Sequence, residues 1–375
     1  MVQSTSHQPN MFDWIPLSSY TAIYYHLMML LTGITLLHAY QNDLFSSTTK
    51  SFTAGMGIFL LLFICIYMGN RPVSGRAFAD MGTYARTYRL IQQGGEVVVT
   101  KDYLFNYFMI GCTKVMNERW FFFLCGLIYT LPMYIFSKKY GGIYWYFVFF
   151  LFVGSFQFWP YGTNGIRNGL GTSIFLLALC FYNRKMVMYG LMAVSFGMHS
   201  SVIIPIAAFF ASGIYKNPKI YLYIWLAAIP LSLVGGSFWE GFFGGLGFGD
   251  DTRAEDYLTK GNVNNDQFAS TGFRWDFLFY SSFAVFAGWY YIFKKKVTDK
   301  FYIHLWGTYM IANAFWILVI RANFSNRFAY LSWFLMAPVI AYPLLRYKLF
   351  PNQYRVVGLI ISIYYLFTYF MFLKG

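Results

Sequence analysis

Residues 186–210 read MVMYGLMAVSFGMHSSVIIPIAAFF, and how this stretch meets a membrane decides the topology of the chain. Both ends are apolar, whereas the middle holds Gly197, His199, Ser200 and Ser201, with Pro205 just beyond. A helix crossing hydrocarbon needs about 20 mostly apolar residues. Each half here supplies about 13, roughly 20 Å of helix. Short half-helices meeting at a polar turn are tolerated at membrane depth where they line a cavity or pack on protein. The stretch is therefore expected to enter the bilayer and turn back at His199. A single long, tilted helix with a Pro kink is the plainer alternative.

The flanking charges favour the turn. Short basic loops collect on the cytoplasmic side. Arg184–Lys185 and Lys216–Lys219 flank the stretch, and they share one face only if the chain returns. Lys138–Lys139, Lys294–Lys300 and Arg346–Arg355 are the other inner loops on this reading.

Working outward, the whole chain has a membrane composition. Apolar residues make up 58% and charged residues 11%, against about a quarter charged in soluble domains. So little polar side chain would not cover a soluble surface, but lipid-facing positions need none. Apolar runs of spanning length cover 20–40, 51–69, 120–136, 144–160, 165–182, 220–238, 273–293, 302–320, 328–345 and 356–372. The expected fold is an all-α polytopic transmembrane helical bundle, with about ten full spans plus the broken, re-entrant hairpin near His199. It is read as one integral membrane domain over 1–375, with outer-face loop segments at 70–119 and 239–272. The first twenty residues hold no Lys or Arg, so no basic secretory leader is expected. Cys65, Cys112, Cys125 and Cys180 form no spaced pairs and read as packing residues. The histidines form no metal-ligand pattern, so neither metal nor cofactor is expected. Nothing in the chain asks for a nucleic-acid partner.

The outer face should be poor in arginine, yet Arg71, Arg76, Arg86, Arg89, Arg167, Arg253, Arg274, Arg321 and Arg327 all map there. Lysine dominates the inner loops. A lysine offers a point charge, whereas arginine presents a planar fork that holds phosphate oxygens in pairs. The outer arginines therefore suggest a bound phosphate or diphosphate. About half are expected to be structural, paired with Asp80, Glu96, Asp102, Asp250, Asp251, Asp256 or Asp276, or snorkelling to headgroups. Arg167, Arg274, Arg321 and Arg327 stand out because they lie at span edges, where ionisable groups are costly. Arg76 and Asp80 follow. His199 suits a proton-transfer role, because its ordinary range brackets neutrality. Asp80 and Asp276 are rival bases, each with an arginine nearby that would weaken it or simply pair with it. A lipid carrying a diphosphate-linked sugar would need such cations, a base for an acceptor hydroxyl, and aromatic walls such as Trp159, Tyr161, Trp239 and Trp275.

The stretches IRNGLGTSIFLLALCFYNRK and FGMHSSVIIPIAAFF, with RPVSGRAFADMGTY upstream and TGFRWDFLFYS and NFSNRFAYLSWF downstream, resemble the EpsG/Wzy-type polysaccharide (O-antigen) polymerase family. The resemblance runs over about residues 67–345. It matches Arg71, Asp80, Tyr84, Arg167, His199, Ser200, Arg274, Asp276 and Arg327 to family positions. Asn168 stands where the family often has Gln. The resemblance implies a metal-independent glycosyltransferase of the bacterial inner membrane, with its active site facing the periplasm. It would move a glycan chain from undecaprenyl diphosphate to a sugar hydroxyl of an incoming lipid-linked repeat unit. His199, Asp80 and Arg167 are the expected catalytic residues; Arg76, Asn168, Ser200, Arg274, Asp276, Arg321 and Arg327 are the expected substrate contacts. The implied partners are the undecaprenyl-diphosphate-linked oligosaccharide, membrane lipid, a chain-length regulator and a flippase. A flippase or transporter of the same lipid, and a glycan ligase or acyltransferase, are the competing readings.

Overall fold

The computed structural model describes residues 11–215, 217–243, 272–322 and 325–374, and every regular element among them is helical. In chain order these are α1 (Leu17–Gln41), α2 (Ser47–Gly69), α3 (Asp80–Gln92), α4 (Tyr103–Thr113), α5 (Glu118–Gly141), α6 (Trp145–Val153), α7 (Phe158–Thr163) and α8 (Ile166–Leu179). They continue with α9 (Lys185–Met198), α10 (Ile203–Ile214), α11 (Pro218–Phe243), α12 (Trp275–Trp289), α13 (Lys300–Leu318), α14 (Ser325–Trp333), α15 (Met336–Arg346) and α16 (Gln353–Lys374).

Local chemistry explains several boundaries. Ser46, Asn117 and Asp299 each accept a first-turn amide at the start of α2, α5 and α13, satisfying donors that a helix end leaves open. Gly142 ends α5 at φ +55°, a conformation glycine adopts without a Cβ penalty. The predicted break at His199 is present: α9 stops at Met198, a short tight turn covers Ser200–Val202, and α10 begins at Ile203. The two halves are 14 and 12 residues long.

Six segments among the described residues are long and apolar enough to cross a membrane: Leu17–Gln41, Ser47–Gly69, Glu118–Val153, Pro218–Gly236, Ser325–Arg346 and Gln353–Lys374. The expected count of ten rests on four further runs. The run at 144–160 is divided between α6 and α7, and α8 has only 14 residues. The run at 273–293 becomes α12 followed by a wider turn at Tyr290–Lys294, while α13 is 19 residues long but rich in Tyr, Trp and polar side chains. The expected outer loop at 70–119 carries α3 and α4. Of the other, 239–243 continue α11, and 244–271 lie outside the described residues, Arg253 with them.

Two compact units emerge. One holds the described residues up to Leu177, Ala193–His199 and those from Tyr354 onward. There α1 and α2 are joined by reciprocal bonds: Tyr20 Oη donates to the Tyr67 carbonyl at 2.6 Å and Tyr67 Oη to the Tyr20 carbonyl at 2.8 Å. Their rings stack at 4.3 Å. Tyr365 Oη donates to the Tyr25 carbonyl at 2.7 Å, bringing α16 against α1. Between apolar surfaces in lipid, such bonds and close packing hold helices together where hydrophobic drive is weak, at about 0.6–2 kcal/mol per bond.

The other unit comprises Ala178–Met192 and Ser200–Gln353. Its centre is Asn313 on α13. Asn313 Oδ1 accepts from Trp225 Nε1 at 2.7 Å, and its Nδ2 donates to Ser281 Oγ at 3.2 Å and Ser332 Oγ at 2.9 Å. Trp333 Nε1 also donates to Ser281 Oγ, at 2.7 Å. These buried side chains tie α11, α12, α13 and α14 through one satisfied polar network.

Candidate active site

The first unit gathers the chemistry around Asp102. This residue immediately precedes α4, where an aspartate ordinarily caps the helix with its side chain. Here it makes no such bond, and its backbone lies at φ 50°, ψ 45°. That left-handed conformation costs an L-residue about 1–2 kcal/mol. Asn106 Nδ2 steadies the turn by donating to the carbonyls of Lys101 and Asp102 at 2.9 and 3.2 Å.

The carboxylate, so released, faces a guanidinium and an imidazole. Arg167 Nη1 donates to Asp102 Oδ2 at 2.8 Å, and His199 Nδ1 lies 3.2 Å from the same oxygen and 3.3 Å from Oδ1. An ionised carboxylate is an acceptor only, so a neutral His199 must carry its proton on Nδ1 to make this bond. Nε2 is then the basic nitrogen, and it meets no hydrogen-bond partner among the described residues. The Asp102 side chain is fully buried, while Arg167 and His199 retain 24% and 20% exposure. The anion is thus sealed and both of its partners keep an open edge.

Arg167 is further fixed by Tyr84 of α3. Its Nε donates to Tyr84 Oη at 3.0 Å, with the guanidinium 5.7 Å from the ring centre. Burial raises the Tyr84 phenol above its ordinary range; Arg167 opposes this, and Asp80 adds to it. Asp80 therefore lies within electrostatic reach of the same hydroxyl. Its backbone N–H donates to Asn164 Oδ1 at 2.7 Å, tying the start of α3 to the turn before α8. Gly169 lets α8 approach so closely: a Cβ there would lie 2.9 Å from the Tyr161 carbonyl oxygen. Asn168 is buried, and its Oδ1 has no partner among the described residues.

Arg71 lies in the same unit, almost wholly buried. Its Nη1 donates to the Met68 carbonyl at 2.7 Å, and its guanidinium lies 5.7 Å from the Phe122 ring centre. Nε and Nη2 have no partner among the described residues, and burial lowers the group to about 10. Arg76 is exposed, and its guanidinium does not pair with Asp80 as the plainer reading of that region had it. Arg89 is structural, held on Glu118 by two bonds of 2.6 Å. Trp159 and Tyr161, expected as sugar-facing walls, are buried, Trp159 stacking on Tyr24 at 4.4 Å.

The remaining expected contacts belong to the second unit. Ser200 opens the turn after His199 and is half-buried. Arg274 and Asp276 form a two-pronged pair at the start of α12, with Nε–Oδ1 at 3.0 Å and Nη2–Oδ2 at 2.7 Å. Arg274 also lies 3.6 Å from the Phe277 ring centre. Arg274 and Arg327 are both close enough to act electrostatically on the Tyr330 hydroxyl. Arg321 Nη2 reaches the Leu233 carbonyl at 3.5 Å and bears on Glu240, a carboxyl raised by burial.

Among the expected catalytic residues, Arg167 and His199 thus meet, and the link is a residue the sequence reading gave only as a structural ion-pair partner. The usable signal was an acidic residue directly before the apolar run Tyr103–Ile110. Asn164 and Tyr84 complete the arrangement. Chemically, it offers a ring nitrogen and a partly exposed guanidinium, organised by the buried Asp102 carboxylate. The family model described as the EpsG family matches residues 56–374. Neither curated proteins nor solved structures give a match.

Proposed function

Because the chain belongs to the EpsG family, membrane polymerases of the glycosyltransferase type, we propose that it joins oligosaccharide repeat units carried on undecaprenyl diphosphate at the periplasmic face of the bacterial inner membrane. The several apolar helices agree with a multi-pass membrane protein. The growing glycan is the donor, and a sugar hydroxyl of the incoming unit is the acceptor. His199 Nε2 takes the acceptor proton as the new bond forms at the donor's anomeric carbon. The bond from that carbon to the diphosphate oxygen breaks, and its electron pair leaves with the lipid diphosphate. Arg167 faces the charge that builds there, an electrostatic role that preorganised donors perform well in a site shielded from water.

One observation carries this reading: Arg167 and His199 share the Asp102 carboxylate, so an anion-binding fork and a base occupy one cluster. Asp80, beside Tyr84, is the second choice as base. Arg274, Arg321 and Arg327 remain proposed phosphate contacts by residue type alone, as do Arg76, Asn168, Ser200 and Asp276 for the wider substrate. A flippase and a chain-length regulator are the proposed companions in the cell. Replacing His199 or Arg167 by Ala at normal expression should shorten or abolish the polymer, since a general base contributes about 10²–10⁴-fold in rate. Undiminished long chains would remove that residue from the mechanism.

A further inference from the structure

Asp102 has three properties that a structural ion pair does not require together. Its backbone is held in the left-handed region although glycine would fit there more easily. Its carboxylate forgoes the helix it precedes, while lying at the positive end of that helix's dipole. It is also completely buried between two partners that are not. Strain of this kind marks places where the surroundings hold a residue for a purpose.

Resting on the polymerase reading above, we propose that Asp102 is a positioning residue that couples diphosphate binding to base strength: it holds His199 with the proton on Nδ1, and it acts more fully on His199 once Arg167 turns its charge to the lipid diphosphate. The carboxylate touches both guanidinium and imidazole. A diphosphate at the open edge of Arg167 draws off part of the guanidinium's attraction. More of the buried negative charge then bears on His199, favouring the imidazolium that forms as the acceptor proton arrives. Tyr84 keeps Arg167 in place if its hold on Asp102 loosens, because that contact uses Nε and not Nη1. The proton moves from the acceptor oxygen to His199 Nε2 and passes to solvent when the products leave. No further reactant is needed. The arrangement makes the base strongest when a donor is present.

Asp102→Asn tests the idea with little change of shape. If the amide oxygen stays on Arg167, the NH₂ group faces His199 Nδ1, which must then accept, and the proton moves to Nε2. Full-length protein labelled with ¹⁵N-histidine in lipid nanodiscs reports this directly, and the His199→Ala variant assigns the signal. The wild type should show the Nδ1–H tautomer, and Asp102→Asn should show the Nε2–H form. Adding undecaprenyl diphosphate should shift the wild-type His199 signals and leave those of Arg167→Ala unmoved. In polymerisation, Asp102→Asn should lower kcat by about 10²-fold or more with KM changed little, and Asp102→Glu should recover part of the loss.

An Nδ1–H tautomer unchanged in Asp102→Asn, with kcat near wild type, would overturn the proposal. So would a wild-type His199 signal indifferent to undecaprenyl diphosphate, which is decisive even if Asp102→Asn does not fold. If the tautomer and diphosphate responses appear but wild-type protein joins no repeat units, the coupling stands and the polymerase reading falls.

Discussion

The backbone N–H of Asp80 donates to the side-chain oxygen of Asn164 across 2.7 Å, so the start of α3 and the turn that launches Arg167 are one connected piece. Asn164 serves as a cap supplied from another segment, satisfying a helix-start donor that Ala79, the preceding residue, cannot. Asn164→Ala should cost about 1–2 kcal/mol of stability. It should also lower polymerisation roughly tenfold if Arg167 and His199 act as proposed, because small misplacements of reacting groups are costly. Thermal unfolding in detergent and polymer length in cells check the two halves. An unfolding change without an activity change would make Asn164 purely structural.

Gly169 offers a sharper steric test. Adding a methyl group would place it 2.9 Å from the Tyr161 carbonyl oxygen and 3.2 Å from the Tyr129 ring. Gly169→Ala must therefore push α8 away, costing about 1–3 kcal/mol and moving Arg167 off Asp102. Gly190→Ala, inside α9 at a glycine with open space around it, is the control: it should leave polymer length unchanged and hold or slightly raise stability.

Glu240 predicts a pH effect. Burial raises its carboxyl, and Arg321 lowers it in part. A raised folded-state value means that the folded protein binds this proton more tightly than the unfolded chain does. The contribution is complete below the ordinary carboxylate range and is lost as pH rises through the folded value. Glu240→Gln should flatten this part of the stability curve and make the protein relatively more stable at neutral pH. Arg321→Ala should extend the loss to higher pH. Unfolding midpoints between pH 4 and pH 8 measure both.

Asn313→Ala should unfold the second unit more readily. It removes bonds to Trp225, Ser281 and Ser332 and strands buried donors and acceptors, each worth about 1–3 kcal/mol. The drop in thermal midpoint should exceed that of Ser282→Ala, whose hydroxyl donates only to the Phe279 carbonyl on the same helix.

The helix break at His199 was legible because two physical limits coincide there: each half is short of a membrane span, and the polar centre needs partners. The pairing of Arg274 with Asp276 was legible from proximity in sequence. The count of full spans was not, because α6 and α7 divide one apolar run and α8 is shorter than its apolar stretch suggests. Asp102 was hidden for a different reason. Its role depends on a backbone angle and on burial between segments 65 and 97 residues away in the chain, neither of which a local pattern records. The same holds for Arg71, whose burial beyond the end of α2 no charge pattern records. Trp159 and Tyr161 show that an aromatic at a span edge can be packing as readily as a sugar surface.

The cluster of His199, Asp102 and Arg167 is proposed to transfer glycan from a lipid diphosphate. The most direct test is purified protein in liposomes supplied with one lipid-linked repeat unit, with product length followed over time. The wild type should give a ladder of joined units, and His199→Ala at least roughly 10²-fold less at equal folded protein. Translocation of the lipid-linked unit without joining, or a full ladder from His199→Ala, would contradict the proposal.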